Sequence, residues 1–158
     1  MTQENPMALQ LFAHPFSSYC QKALIAFYEN DVAFEMRMVA PDHPANVEVL
    51  AARWPIGKFP ILVDGEQTIV EATSIIEPLT VHSPGPSRLI PDDPALAVEV
   101  RMLDRIFDNY VMTPQGKCVF DALRKPDDRD PYGVTQARAM LETAYAWLDA
   151  RMAGREWA

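Results

Sequence analysis

Ser17-Ser18-Tyr19-Cys20 places two serine hydroxyls, a phenol and a thiol directly after the breaker cluster His14-Pro15-Phe16 and directly before a helical pattern. In that position Ser17 is an N-cap, and the backbone N–H groups after it have no partner within the helix. Such a terminus favours negative charge, so the segment reads either as a plain helix cap or as a place where a hydroxyl and several amides meet an anion. Two further groups stand beside predicted strands: Lys58-Phe59-Pro60, and Glu71-Ala72-Thr73. Residues 1–82 carry ten acidic side chains against four basic ones, which leaves Lys22, Arg37, Arg53 and Lys58 to meet an anionic ligand. Cys20 and Cys118 lie far apart and share no ligand spacing with His14, His43 or His82, so neither a disulfide framework nor a metal site is expected.

The 158 residues carry a net charge of -8, and 49% are apolar, enough for a real core. The aromatic residues are not interleaved with basic clusters, which argues against a nucleic-acid partner. No stretch approaches the roughly 18 apolar residues of a membrane helix. Met1 to Pro6 holds Glu4 and no basic residue, so no secretory signal is expected and the cytoplasm is the expected address.

The elements around the three groups follow from hydrophobic period. Residues 8–13 form a short apolar run, read as a strand buried on both faces. Cys20, Ala23, Leu24, Phe27 and Tyr28 then fall on one helical face that Asn30-Asp31 ends. Phe34, Met36 and Met38 alternate with charges, as in a half-buried strand. A short helix through Val47 and Leu50 is closed by Trp54-Pro55. Phe59 to Val63 reads as a strand, Asp64-Gly65 as a tight turn and Gln67 to Val70 as its antiparallel partner. Ser74 and Glu77 have capping-box spacing for a last short helix, with Pro78 near its first turn. From His82 to Pro94 four prolines mark a stiff linker. Beyond it, Leu96, Val100, Leu103, Phe107 and Tyr110 share one helical face. Ala137, Leu141, Ala144, Leu148 and Met152 share another, after a charged loop from Lys125 to Gly133. The division is therefore 1–82, a linker 83–94, and an all-helical part 95–158.

The order β-α-β, then α-β-β-α, is that of the thioredoxin fold. In it, Ser17 stands in the place of the first cysteine of Cys-x-x-Cys and Cys20 in that of the second. The stretch Ser-Ser-Tyr-Cys-Gln-Lys-Ala-Leu-Ile-Ala-Phe resembles the first helix of serine-type cytosolic glutathione transferases. Ser17 aligns with the catalytic serine of theta-like members, and Ser18 with the second serine of zeta-like ones. The resemblance covers residues 8–80 and is looser over the helices after Leu96.

The resemblance implies a thioredoxin-like glutathione-binding domain followed by an all-α domain that is C-terminally incomplete here. It also implies a homodimer pairing the first domain of one subunit with the helical domain of the other. Pro60 would take a cis peptide, Phe59 would offer its backbone to the cysteinyl part of glutathione, and Lys58 would hold the glycine carboxylate. Glu71 would contact the γ-glutamyl group. The family's serine after that acidic residue is Ala72 here, leaving its backbone N–H and the hydroxyl of Thr73. Read without the resemblance, Lys58 is a surface lysine, Glu71 supports a helix terminus, and the isomer of Pro60 is open. The implied activity is conjugation of glutathione, as co-substrate and without a metal, to a small electrophile. The alternatives are a non-catalytic glutathione- or protein-binding module, favoured by Ala72, and a thiol–disulfide reaction through Cys20.

Overall fold

Leu11, Phe12 and Ala13 are buried on both faces of a strand, β1 (Gln10–Ala13), which sits inside a four-stranded sheet. In the computed structural model, which describes residues 8–82 and 85–156, the strands run in the order β2-β1-β3-β4. β2 (Glu35–Met38) is parallel to β1, whereas β3 (Ile61–Asp64) and β4 (Gln67–Val70) are antiparallel to their neighbours. Side-chain alternation divides the sheet's residues between two cores. Leu11, Ala13 and Leu62 face helices α1 (Ser18–Glu29) and α3 (Ala72–His82), while Phe12, Ile61 and Val63 pack with Leu50 of helix α2 (Pro44–Arg53). This is the expected thioredoxin-like sheet with helices on both faces.

Several local expectations are corrected. Tyr28 is 66% exposed, and Ala26 at 1% takes its place beside Cys20, Ala23, Leu24 and Phe27. β3 begins at Ile61, after Phe59-Pro60, and the turn to β4 is made by Gly65-Glu66. α3 begins at Ala72, directly after Glu71 at φ 69, so Ser74 and Glu77 lie inside the helix and are not a capping box. Pro78 accordingly sits in the helix interior, where it gives the Ser74 carbonyl no N–H; Ser74 is exposed, so water can serve that carbonyl.

The chain divides into two compact units, Met1–Pro91 and Asp92–Ala158. Positions 83 and 84 of the expected linker lie outside the described residues; Gly85 and Ser87, just beyond them, are held against α1 of the first unit. Buried Asn30 donates to the Ala26 carbonyl at 3.0 Å and accepts from the Ser87 N–H at 3.2 Å. Gly85 runs so close that a Cβ there would stand 2.5 Å from Asn30 backbone, so only glycine fits.

The second unit is helical. Asp93 caps α4 (Pro94–Ile106) by accepting from the N–H groups of Ala95 at 2.8 Å and Leu96 at 3.1 Å. The helix continues as a π-helical turn, Phe107–Met112, and then as α5 (Thr113–Ala122), which sequence periodicity does not predict. Of the expected α4 face, Leu103 is buried and Leu96, Phe107 and Tyr110 are exposed; Ala97 and Val111 are buried instead. On α6 (Pro131–Met152) the expected face holds, with Ala137 and Ala144 buried and Leu141, Leu148 and Met152 half-buried.

Asp130 organises the start of α6. Its carboxylate accepts from the Gly133 N–H at 2.8 Å and pairs with Lys117 at 2.5 Å, and its own N–H donates to buried Asp121 at 2.8 Å. A Cβ on Gly133 would stand 2.2 Å from the Asp130 carboxylate, which explains the glycine in a helical turn. The Lys117 hydrogen bond, then the Gly133 N–H, hold the Asp130 carboxyl below its usual range. A depressed folded value means the cap stabilises fully above the unfolded carboxylate pKa of about 3.9 and is lost as pH falls through the lower folded one. Asp130→Asn should therefore lower the melting temperature at pH 7 and converge on the wild type in acid. Equal differences at both ends of a pH series of melting curves would contradict this.

Candidate active site at one end of the sheet

The strand directions determine which loops meet. β1 and β4 are both antiparallel to β3, so their C-terminal ends lie at the same edge as the start of β3. Phe12 pairs with Ile61, and Ile61 with Val70; one step further along this register sets Pro60 between Ala13 and Glu71. The chain leaving β1 enters α1 at Ser17, and the chain leaving β4 enters α3 at Ala72. Two helix N-termini thus open at one sheet edge, a place that favours anionic groups.

Ser17 is the N-cap of α1, at φ -88 and ψ 120, and its hydroxyl oxygen accepts the Cys20 N–H at 3.4 Å. Its own N–H donates to the His14 carbonyl at 3.0 Å, while the His14 ring nitrogen Nδ1 accepts the Phe16 N–H at 3.1 Å. Both Ser17 and Ser18 are half-buried, and Phe16 between them and His14 is 93% exposed. Cys20 is fully buried and accepts the His14 N–H on sulfur at 3.4 Å. Burial raises its thiol pKa, offset in part by hydrogen bonds from the Ser17 hydroxyl and the His14 N–H.

The second group, Lys58-Phe59-Pro60, enters β3 through a cis Phe59–Pro60 peptide, as expected from the resemblance. Lys58 is exposed, Phe59 half-buried and Pro60 buried. In the third group Glu71 is exposed, Ala72 is buried, and Thr73 receives a hydrogen bond from Lys22 Nζ of α1 at 3.2 Å. The structure therefore gathers Ser17, Ser18, Pro60, Glu71, Ala72 and Thr73 at one edge. It does not gather all the cations. Arg53 is spent on the β3–β4 hairpin, donating to the Glu66 carbonyl at 3.0 Å, and Arg37 pairs with Glu35 at 3.0 Å. The link between Lys22 and Thr73 and the seat of the Cys20 sulfur are not legible in the sequence; the Ser-x-x-Cys spacing is the only signal for the latter.

Among the described residues no cluster of His, Cys, Asp or Glu is arranged to hold a metal ion, and no helix is long and apolar enough to cross a membrane.

The described residues thus combine a thioredoxin-like domain, with an N-cap serine at this edge, and a helical unit. Residues 11–87 match the model of the glutathione S-transferase N-terminal domain. The chain is 27% identical over 143 residues to glutathione S-transferase F6 of Arabidopsis thaliana, covering 89% of this chain and 66% of that protein. It is 41% identical over 69 residues to dichloromethane dehalogenase of Methylorubrum extorquens, covering 42% of this chain and 24% of that one. Among solved structures, a glutathione S-transferase from Methylobacillus flagellatus with glutathione bound superposes with a TM-score of 0.80 at 22% identity, covering 95% of this chain and 73% of that chain. These findings make the first unit similar to the glutathione S-transferase N-terminal domain, and the chain spans just under two thirds of the plant relative's length.

Proposed function

We propose that this protein is a serine-type, theta/zeta-like glutathione transferase that binds glutathione at this sheet edge, stabilises its thiolate and conjugates it to a small electrophile. The observation that carries the reading is the meeting of a half-buried N-cap serine with a second helix N-terminus, preceded by Glu71, at one edge. In this reading Ser17, with Ser18 beside it, donates to the thiolate. Phe59 and Pro60 line the cysteinyl part, and Lys58 takes the glycine carboxylate. Glu71 pairs with the γ-glutamyl ammonium, while the Ala72 N–H and Thr73 take its carboxylate. The reading carries with it a cytoplasmic homodimer and no metal.

The energetics are sufficient. A free thiol with a pKa near 8.5 is only about 3% ionised at pH 7, and lowering it by ~2 units ionises about three quarters. That shift is worth about 2.7 kcal/mol, within reach of one charge-assisted hydrogen bond and a helix terminus. The thiol-exchange alternative loses support because Cys20 is fully buried with a raised thiol pKa. The binding-module alternative keeps one feature, Ala72. An assay of glutathione consumption with a general aryl halide tests the choice: saturable turnover supports the transferase, and binding without turnover supports the module.

Ala72 supplies a further prediction. Ala72→Ser should tighten glutathione binding by about 2- to 10-fold, the roughly 0.5–1.5 kcal/mol net of an ordinary added hydrogen bond, because the Ala72 N–H and Thr73 already serve the same carboxylate in this reading. It should lower the stability of the ligand-free protein slightly, because position 72 is buried and the hydroxyl gains its partner only with the ligand. Unchanged or weaker binding in a calorimetric titration would remove Ala72 from the proposed carboxylate site.

A further inference from the structure

We infer that His14 is a positioning residue for the proposed reaction, its ring nitrogen Nδ1 closing the turn that carries the Ser17 hydroxyl to the glutathione thiolate. The inference rests on the proposed function and extends it to a residue that touches no substrate.

His14-Pro15-Phe16-Ser17 forms a tight turn between β1 and α1, closed by the Ser17 N–H on the His14 carbonyl at 3.0 Å. Pro15 in second place suits such a turn, because its φ is already set and it has no N–H to satisfy. The Phe16 N–H in third place has no partner within an ordinary turn, and Phe16 is 93% exposed, so water would take it. Here the His14 ring takes it instead, on Nδ1 at 3.1 Å. Asn and Asp side chains make the same bond to the N–H two residues on, and so stiffen the turns they start. As acceptor, Nδ1 carries no proton, and the neutral ring keeps its own on Nε2.

The other polar groups of the turn are tied to α1. The His14 N–H donates to the Cys20 sulfur at 3.4 Å, and Gln21 Nε2 donates to the Pro15 carbonyl at 2.7 Å. Every backbone N–H from His14 to Ser17 thus has a partner, and only that of Phe16 depends on a side chain of the turn itself. The Ser17 hydroxyl follows directly, its oxygen taking the Cys20 N–H at 3.4 Å and its proton being the one offered to a thiolate. Where that proton points is set by the backbone from Phe16 to Ser17, which His14 Nδ1 holds. The two rings of the turn pack together, with centroids 5.3 Å apart, and this keeps the imidazole in place.

The test compares the full chain with His14→Asn, His14→Gln and His14→Ala at pH 7. It reads kcat and KM for glutathione, the ultraviolet absorbance of the bound thiolate, and amide hydrogen exchange at Phe16. Asn places Oδ1 where histidine has Nδ1, whereas the Gln acceptor lies one bond further out and Ala has none. His14→Gln and His14→Ala should lower kcat by roughly three- to tenfold, the size of one neutral hydrogen bond, with less bound thiolate and KM little changed. The Phe16 amide should exchange faster in both. His14→Asn should restore all these readings towards the wild type. Gln keeps the bulk, so the comparison survives if the alanine variant does not fold. A wild-type kcat in His14→Gln, or an asparagine variant no better than glutamine, overturns the inference while leaving the functional reading intact. A wild type that binds no glutathione overturns both.

Discussion

Glutathione-dependent turnover at pH 7 is expected to fall by roughly tenfold or more in the double variant Ser17→Ala with Ser18→Ala, with glutathione affinity held within a few-fold. Loss of one charge-assisted hydrogen bond to a thiolate costs about 1.5–3 kcal/mol, and the loss falls on the ionised form alone. Affinity is spared because the remaining contacts proposed above, at Lys58, Phe59 and Glu71, concern the backbone and ends of the tripeptide. Both serines are removed because Ser18 follows Ser17 directly and is also half-buried, so it can take over the donor role. Ser17 also caps α1 through the Cys20 N–H, and an N-cap contributes about 0.5–2 kcal/mol to stability. The comparison is therefore made below the variant's melting temperature and across a pH series. Turnover should recover at high pH, where the thiol ionises unaided. A double variant as active as the wild type at pH 7 would remove the serines from the chemistry.

The largest stability effect is expected at Phe27. Its side chain is fully buried where α1 meets the sheet, with the ring centroid 4.7 Å from that of Phe34. Phe27→Ala should cost about 3–5 kcal/mol, as the lost transfer free energy adds to that of the cavity left behind. Since a domain's whole stability is about 5–15 kcal/mol, the site would melt with the helix that carries it. Phe27→Leu retains most of the volume and should lose less than half as much. Urea unfolding of both variants measures this; a loss below about 1 kcal/mol in Phe27→Ala would mean that the α1 face is not the core it is taken to be.

The first unit is legible in the sequence wherever burial imposes a clear period. Leu11 to Ala13, the Cys20–Phe27 face and the alternation ending at Met38 all appear as expected because each element packs against the sheet. The pattern misleads where backbone geometry decides. Glu71 at φ 69 turns the chain so that α3 opens at Ala72, and no side-chain pattern announces this, whereas Ser74 and Glu77 have the spacing of a cap they do not form. α5 escapes notice because Thr113-Pro114-Gln115-Gly116 has the composition of a turn. In the structure Pro114 directly follows a π-helical turn within a continuous helical run, and that turn is held by Thr113 Oγ1 donating to the Asp108 carbonyl at 2.8 Å. At the site, Ser17 is legible as a cap from its neighbours. The His14 N–H on the Cys20 sulfur, and Lys22 on Thr73, depend on how helices seat on the sheet, which spacing within one helix does not specify.

The most direct test of the central claim is a calorimetric titration of the protein with glutathione at pH 7, repeated with a competing glutathione analogue that lacks the γ-glutamyl carboxylate. The account predicts saturable binding at one site per chain, and weaker binding of the analogue. No saturable heat with glutathione, or equal affinity for the two ligands, would contradict it.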